Sequence, residues 1–364
     1  MPAPQPAQDP GPPDLRTQVR SAFRQSWSAF HPLPALYGLP ALALVLTVGV
    51  SAGQAGAAAL AAGGAFSAGF GAFQRVTQFR IAPMLLASLV MALATAAGTL
   101  LGVNPTAYAV TVGFGACALG LAASFGTGPW WVLLQGAIFL VLASSRPAGF
   151  EEAVNRALLV LGGGLFQSFL VSGVRTLLPR GFPPLSGPNA TPPPEGRAGW
   201  AARARQVFRP ASPEMRYAVL LGLATGAAVV LEQQLRLSHG YWVALTVLLV
   251  LRRGGTETVI RGLQRIAGTL VGAGAGALMA TFGRPDPPLL LLLIVFTAWC
   301  AYAAQWVNYG TFSAAVTSYI VLLFALSGPL VAGDRVTATI LGGVLGMAAL
   351  AVARLGGRAA RLSQ

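Results

Sequence analysis

Residues 240–282 read GYWVALTVLLVLRRGGTETVIRGLQRIAGTLVGAGAGALMATF, two apolar runs on either side of a basic hinge. Neither run alternates apolar and polar residues, so neither reads as a strand of an outer-membrane barrel. Both read as helices in lipid. The second, 262–282, sets Gly268, Gly272 and Gly276 on one helical face, below which Arg261 and Arg265 stand one turn apart. The first, 240–251, stops at Arg252-Arg253 after twelve residues. At 1.5 Å per residue it spans about 18 Å, short of the roughly 30 Å of a bilayer core. It is a half-helix, a re-entrant element, or a helix extended through Ser238-His239.

The same texture covers the chain. Of its 364 residues, 55% are hydrophobic and 9% are charged, against about 25% charged in a soluble protein. Whole-chain disorder is excluded by these numbers. A disulfide scaffold is excluded too, because Cys117 and Cys300 both sit inside apolar runs. The expected fold class is all-α, a polytopic helical membrane protein. Twelve apolar segments are expected, at 33–51, 54–73, 82–101, 107–125, 129–144, 155–174, 217–231, 240–251, 262–282, 288–304, 311–328 and 336–353. Ser51-Ala52-Gly53 resembles a leader cleavage site, but the preceding lead of about 30 residues exceeds a usual n-region, so 33–51 is read as a retained span.

The domain organisation follows. Residues 1–30 form a disordered, then amphipathic, N-terminal segment in which Arg16, Arg20 and Arg24 take helical spacing. Residues 31–174 form a first six-helix membrane repeat, 175–216 a cytoplasmic linker, 217–353 a second six-helix repeat, and 354–364 a basic tail. The repeat rests on ordered matches. Arg80-Ile81-Ala82 and Arg265-Ile266-Ala267 open the third helix of each half, and Leu161-Gly162-Gly163 and Leu341-Gly342-Gly343 recur in the sixth. Gly102-Val103-Asn104-Pro105 and Gly283-Arg284-Pro285-Asp286-Pro287 end the third helices. Six helices per half make the repeat parallel, with the pathway expected between the halves, where the second and third helices of each would flank it.

The net charge of +14 comes from 24 arginines and no lysine. With the N-terminus inside, 19 arginines fall on the inner side and five, Arg146, Arg156, Arg236, Arg284 and Arg335, on the outer. The ten acidic residues divide equally. The charge is thereby topogenic, with both termini cytoplasmic in a plasma (inner) membrane, and nucleic acid is not needed as a partner.

Several side chains are candidates for function, each with a plainer alternative. Arg261 and Arg265, with Arg80 as the repeat counterpart of Arg265, either attract anions or snorkel to headgroups. Tyr241 and Trp242 either bind substrate or form an aromatic belt. Glu232 and His239 either couple protons or cap a solvated helix end. Gly268, Gly272 and Gly276 pack helices. Asn155, Asn308, Thr311, Ser313, Thr317 and Ser318 are intrahelical or interhelical polar groups. His31 and His239 give no metal-binding spacing, no phosphate loop is present, and no catalytic set is evident, so neither cofactor nor enzyme activity is expected.

The run HGYWVALTVLLVL, a Gly-Thr pair and RGLQRIAGTLVGAGAG resemble the signature of the fusaric-acid-resistance-like, or integral membrane bound transporter, family. Trp242, Leu245-Thr246, Arg261, Gln264-Arg265, Gly268-Thr269 and Gly272 carry the resemblance. It implies secondary export of small organic, aromatic carboxylate anions, with Thr246 joining Arg261, Arg265, Tyr241 and Trp242 in binding. A passive anion channel and an inert membrane scaffold are the other readings. Two features depart from the family pattern. Arg252-Arg253 replaces Gln-Pro, and the large cytoplasmic domain of many relatives is reduced to the 42 residues of 175–216. The sequence sets no oligomeric state.

Overall fold

The computed structural model describes residues 15–74, 81–177, 196–210, 212–284, 286–326, 328 and 331–362. Every element in them is helical. The expected disordered stretch 1–14, residues 178–195 and 211 of the linker, and Arg80 lie outside the described residues.

The first half contains α1 (Leu15–Ala22), α2 (Pro32–Ala35), α3 (Leu39–Ser51), α4 (Ala55–Gly69), α5 (Ala82–Leu101), α6 (Pro105–Ala122), α7 (Thr127–Ser144) and α8 (Phe150–Leu177). After α9 (Gly196–Val207) come α10 (Pro213–Leu235), α11 (Tyr241–Val250), α12 (Gly255–Gly283), α13 (Pro287–Ala304), α14 (Tyr309–Ala325) and α15 (Ala332–Leu362). Ten helical stretches are long and apolar enough to cross a membrane, and α11 and α14 are shorter apolar helices. The chain is thus a polytopic membrane protein. The basic tail continues α15, and the N-terminal amphipathic helix ends at Ala22, short of the expected residue 30.

Helix starts are written in the sequence. Asn104 accepts hydrogen bonds from the Thr106 and Ala107 amides ahead of α6, and Asp286 accepts one from Leu289 ahead of α13. Proline follows each cap, where its missing N–H costs nothing. The matched motifs of the two halves therefore do the same work: they stop one helix and cap the next.

Packing follows one order in both halves. α5 packs on α7 and α8, α4 on α8, α3 on α4, and α6 on α7. In the same positions, α12 packs on α14 and α15, α11 on α15, α10 on α11, and α13 on α14. The halves meet mainly where α6 crosses α10, with α13 lying against α2 and α3. Glycines allow the first crossing: a Cβ on Gly222 would stand 2.7 Å from the Gly113 carbonyl oxygen. Leu93, Phe114, Phe169, Leu223, Leu278 and Leu292 are exposed on the outside, as lipid-facing residues are.

The element that matters most is α11. Nine of its ten residues are buried, so this short helix runs through the protein interior. Tyr241 and Trp242 at its start are 6% and 4% exposed, which removes them from an aromatic belt.

Candidate functional site

Two facing rows of side chains build the site. On α12, Arg261, Arg265 and Thr269 follow at i, i+4 and i+8; on α14, Tyr309, Ser313 and Thr317 do the same. Arg261 lies over the Tyr309 ring, 4.6 Å from its centroid. One turn deeper, Arg265 Nη1 donates to Ser313 Oγ at 3.2 Å. Gly268 and Gly272 bring the backbones together, since a Cβ on either would run into a carbonyl oxygen of α14, at Gly310 and Ala314 respectively. Gly276 continues the contact against Ser318 and Val321. The face read from sequence is the face that packs.

Arg335 completes the site from α15. It is 1% exposed, and its guanidinium carbon stands 3.8 Å from the centroid of the Trp242 ring. None of its three side-chain nitrogens has a hydrogen-bond partner, and Arg265 Nε has none either. Arg265 and Arg335 stand near enough for their like charges to repel. Its sequence neighbour Asp334 points away, held at 2.6 Å by His239 Nδ1. Unpartnered hydroxyls of Thr269, Thr317 and Tyr309, and the Trp242 indole N–H, lie on the same helices, whereas Tyr319 turns away to stack on Phe66. An unpaired ion out of water costs several kcal/mol. Two such cations and a set of free donors, with no ion-paired carboxylate on either arginine among the described residues, make a cradle for an anion.

The sequence places Arg335 on the outer side, ahead of the last apolar segment. The signal that locates it is the apolar run starting at Val336: the arginine falls in the first turn of α15 and turns inward onto Trp242. The other candidates divide. The Thr246 hydroxyl is used on the Trp242 carbonyl at 2.8 Å, and Thr246 packs where a Cβ on Gly342 would sit. Tyr241 packs on Trp242 at 4.7 Å and on His239 at 6.0 Å. Glu232 is buried at the α6–α10 crossing, where the Tyr108 hydroxyl donates to Oε1 at 2.9 Å and Oε2 is unpartnered. It is not a solvated helix end, and His239 pairs with Asp334 rather than with it. Asn308 caps α14 and holds the carbonyl of Ala22.

Residues 219–349 match the family described as fusaric acid resistance protein-like. The inner membrane protein YccS of Escherichia coli is 32% identical over 159 residues, 43% of this chain and 22% of YccS. An uncharacterized protein, ORF2, of Neisseria gonorrhoeae is 31% identical over 143 residues, 37% of this chain and 33% of its own length. The uncharacterized Escherichia coli protein YhfK is 31% identical over 134 residues, 36% of this chain and 19% of YhfK. The chain thus spans a fifth to a third of the length of these relatives. No solved structure matches it. The stretch 219–349, which holds Trp242, Arg265 and Arg335 together, is thus similar to the fusaric acid resistance protein-like family.

Proposed function

We propose that the protein is a secondary transporter that exports small organic anions, with aromatic carboxylates as the substrate class. The observation that carries this reading is the Arg265–Arg335 pair, buried without a carboxylate and set beside the Trp242 ring. A carboxylate supplies the missing acceptor and an aromatic ring suits the indole and tyrosine faces nearby. The chain acts as two six-helix repeats, 31–174 and 217–353, joined by the linker 175–216. The shared packing order of α3–α8 and α10–α15 supports this, with the shorter helices α11 and α14 in the second and fifth places of the second repeat. Both termini and α9 face the cytoplasm in a multi-pass inner-membrane protein, a reading supported by the arginine distribution and by the name of the YccS relative. Glu232, buried where the halves cross, carries the coupled proton.

Uptake of labelled benzoate into proteoliposomes tests the reading. Flux that follows an imposed proton gradient, and that loses this dependence in Glu232→Gln, is the expected result. Flux indifferent to the gradient identifies a channel, and no flux with any carboxylate identifies a scaffold. Ala201→Cys on the exposed face of α9 should resist an impermeant thiol reagent in intact cells.

A further inference from the structure

A second group of arginines lies apart from the Arg265–Arg335 pair, at the end of the bundle that carries α1 and α9. There a cavity of about 510 Å³ opens between the halves, lined by Arg203, Arg252, Arg253 and Arg261 and by one carboxylate, Glu257, while Arg203 also stands 3.6 Å from Glu214. The arginines come from three elements: α9, the hinge before α12, and α12 itself. Three are already oriented by ring faces. Arg252 lies 5.0 Å from the Trp130 centroid, Arg253 5.5 Å from Tyr217, and Arg261 4.6 Å from Tyr309. Arg203 and Arg253 are further fixed on Ser124, through its carbonyl at 2.9 Å and its hydroxyl at 2.6 Å. Stacking holds a guanidinium plane while leaving its N–H edge free to bind.

The carboxylate does not satisfy this cluster. Glu257 Oε1 stands 3.9 Å from Arg252 Nε and 3.7 Å from Arg261 Nε, beyond hydrogen-bond length from both, and the side chain is 57% exposed. Arg252 Nε is buried with no hydrogen-bond partner. Glu257 thus leaves donor edges of both guanidiniums unused. A tetrahedral group with oxygens in several directions reaches more than one arginine at once.

We infer that this cavity is a binding site for a phosphoryl-bearing, multiply charged anion, and that Glu257 is the loose internal counter-ion such a ligand displaces. The site is separate from the Arg265–Arg335 pair, but Arg261 belongs both to the cavity wall and to the row that leads to Arg265. An occupant there controls the approach to the deeper site. The phosphoryl group can come from a soluble anion or from the headgroup of an anionic lipid.

The test uses the full chain in phosphatidylcholine nanodiscs and inorganic pyrophosphate, titrated by calorimetry. Saturable binding is expected, weakened roughly tenfold or more when Arg252→Gln and Arg253→Gln are combined. Glu257→Gln, at an exposed position, should tighten it. Arg265→Ala should leave it unchanged, so the result does not depend on whether the protein transports anything. Short-chain phosphatidic acid binding more tightly than pyrophosphate assigns the site to a lipid headgroup, and the reverse order assigns it to a soluble anion. Absence of saturable pyrophosphate binding overturns the inference, as does equal or weaker binding by Glu257→Gln.

Discussion

Arg156 and Arg335 stand 179 residues apart, each in the second or first turn of the last helix of its half, and only Arg156 is neutralised. Glu152, one turn before Arg156, accepts from its Nε at 2.6 Å. One turn before Arg335 stands Val331, which has no charge to offer. The same 179-residue spacing relates Gly163, which abuts Ala61 of α4, to Gly342, which abuts Val243 of α11. Two helices in the same packing position therefore carry one paired arginine at the surface and one unpaired arginine in the interior. The asymmetry puts the unpaired charge in the second half, where Trp242 also lies.

Arg335 should lower stability while serving function. Replacing a buried unpaired ion with an apolar side chain of similar length removes a desolvation cost, which even for buried ion pairs is often neutral or stabilising by about 1–4 kcal/mol. Arg335→Met is expected to melt at the wild-type temperature or above it and to lose carboxylate uptake. A melting temperature several degrees lower would make Arg335 a structural residue.

Arg265 should behave differently from a topology marker. Removing it deletes a charge-assisted hydrogen bond of about 1.5–3 kcal/mol, so apparent affinity for a labelled aromatic carboxylate should fall roughly 10- to 150-fold. Arg265→Lys keeps the charge without the planar fork and should be intermediate. Uptake into inverted vesicles, normalised to inserted protein, measures both. Wild-type affinity and rate in Arg265→Ala would end the binding role.

The α12–α14 contact should tolerate no added volume. Gly272→Ala drives a methyl into the Ala314 carbonyl oxygen, and overpacking of this kind costs about 1–3 kcal/mol. Gly274→Ala, whose Cβ meets nothing within 4 Å, is the control. Thermal melts in detergent should separate the two, with only Gly272→Ala lowered. Equal melting of both would mean that the helices can part at no cost.

Much of the fold is legible because lipid makes length and apolarity decisive. The segment 240–251 is visibly too short to span, and α11 is indeed a short helix, held inside. The polar start of α12 is not legible in the same way. Residues 255–261 lie outside the expected apolar segment 262–282, yet they are helical, and there Thr258 accepts from the Arg252 amide and donates to the Gly254 carbonyl. The Arg261–Gly276 face could be drawn from spacing alone, since helical periodicity fixes it. What Trp242 faces could not. An aromatic residue near a helix start suits a membrane surface as well as an interior, and only the position of α15 decides between them.

The contrast between Arg156 and Arg335 suggests a way to switch the site off without removing its arginine. A carboxylate at position 331, just ahead of α15 and four residues before Arg335, would stand in the same acid-before-base order as Glu152 and Arg156. Val331 is 1% exposed, so the new Glu side chain would share the low-dielectric interior with Arg335. Val331→Glu should therefore satisfy the guanidinium internally and abolish binding of an external carboxylate. Val331→Gln places a side chain of the same shape there without the charge, and it should retain uptake to a greater extent. Both variants are compared at equal inserted protein, with melting temperature as the check on folding. If Val331→Glu is folded and transports as Val331→Gln does, Arg335 does not need to be free, and the substrate is held elsewhere.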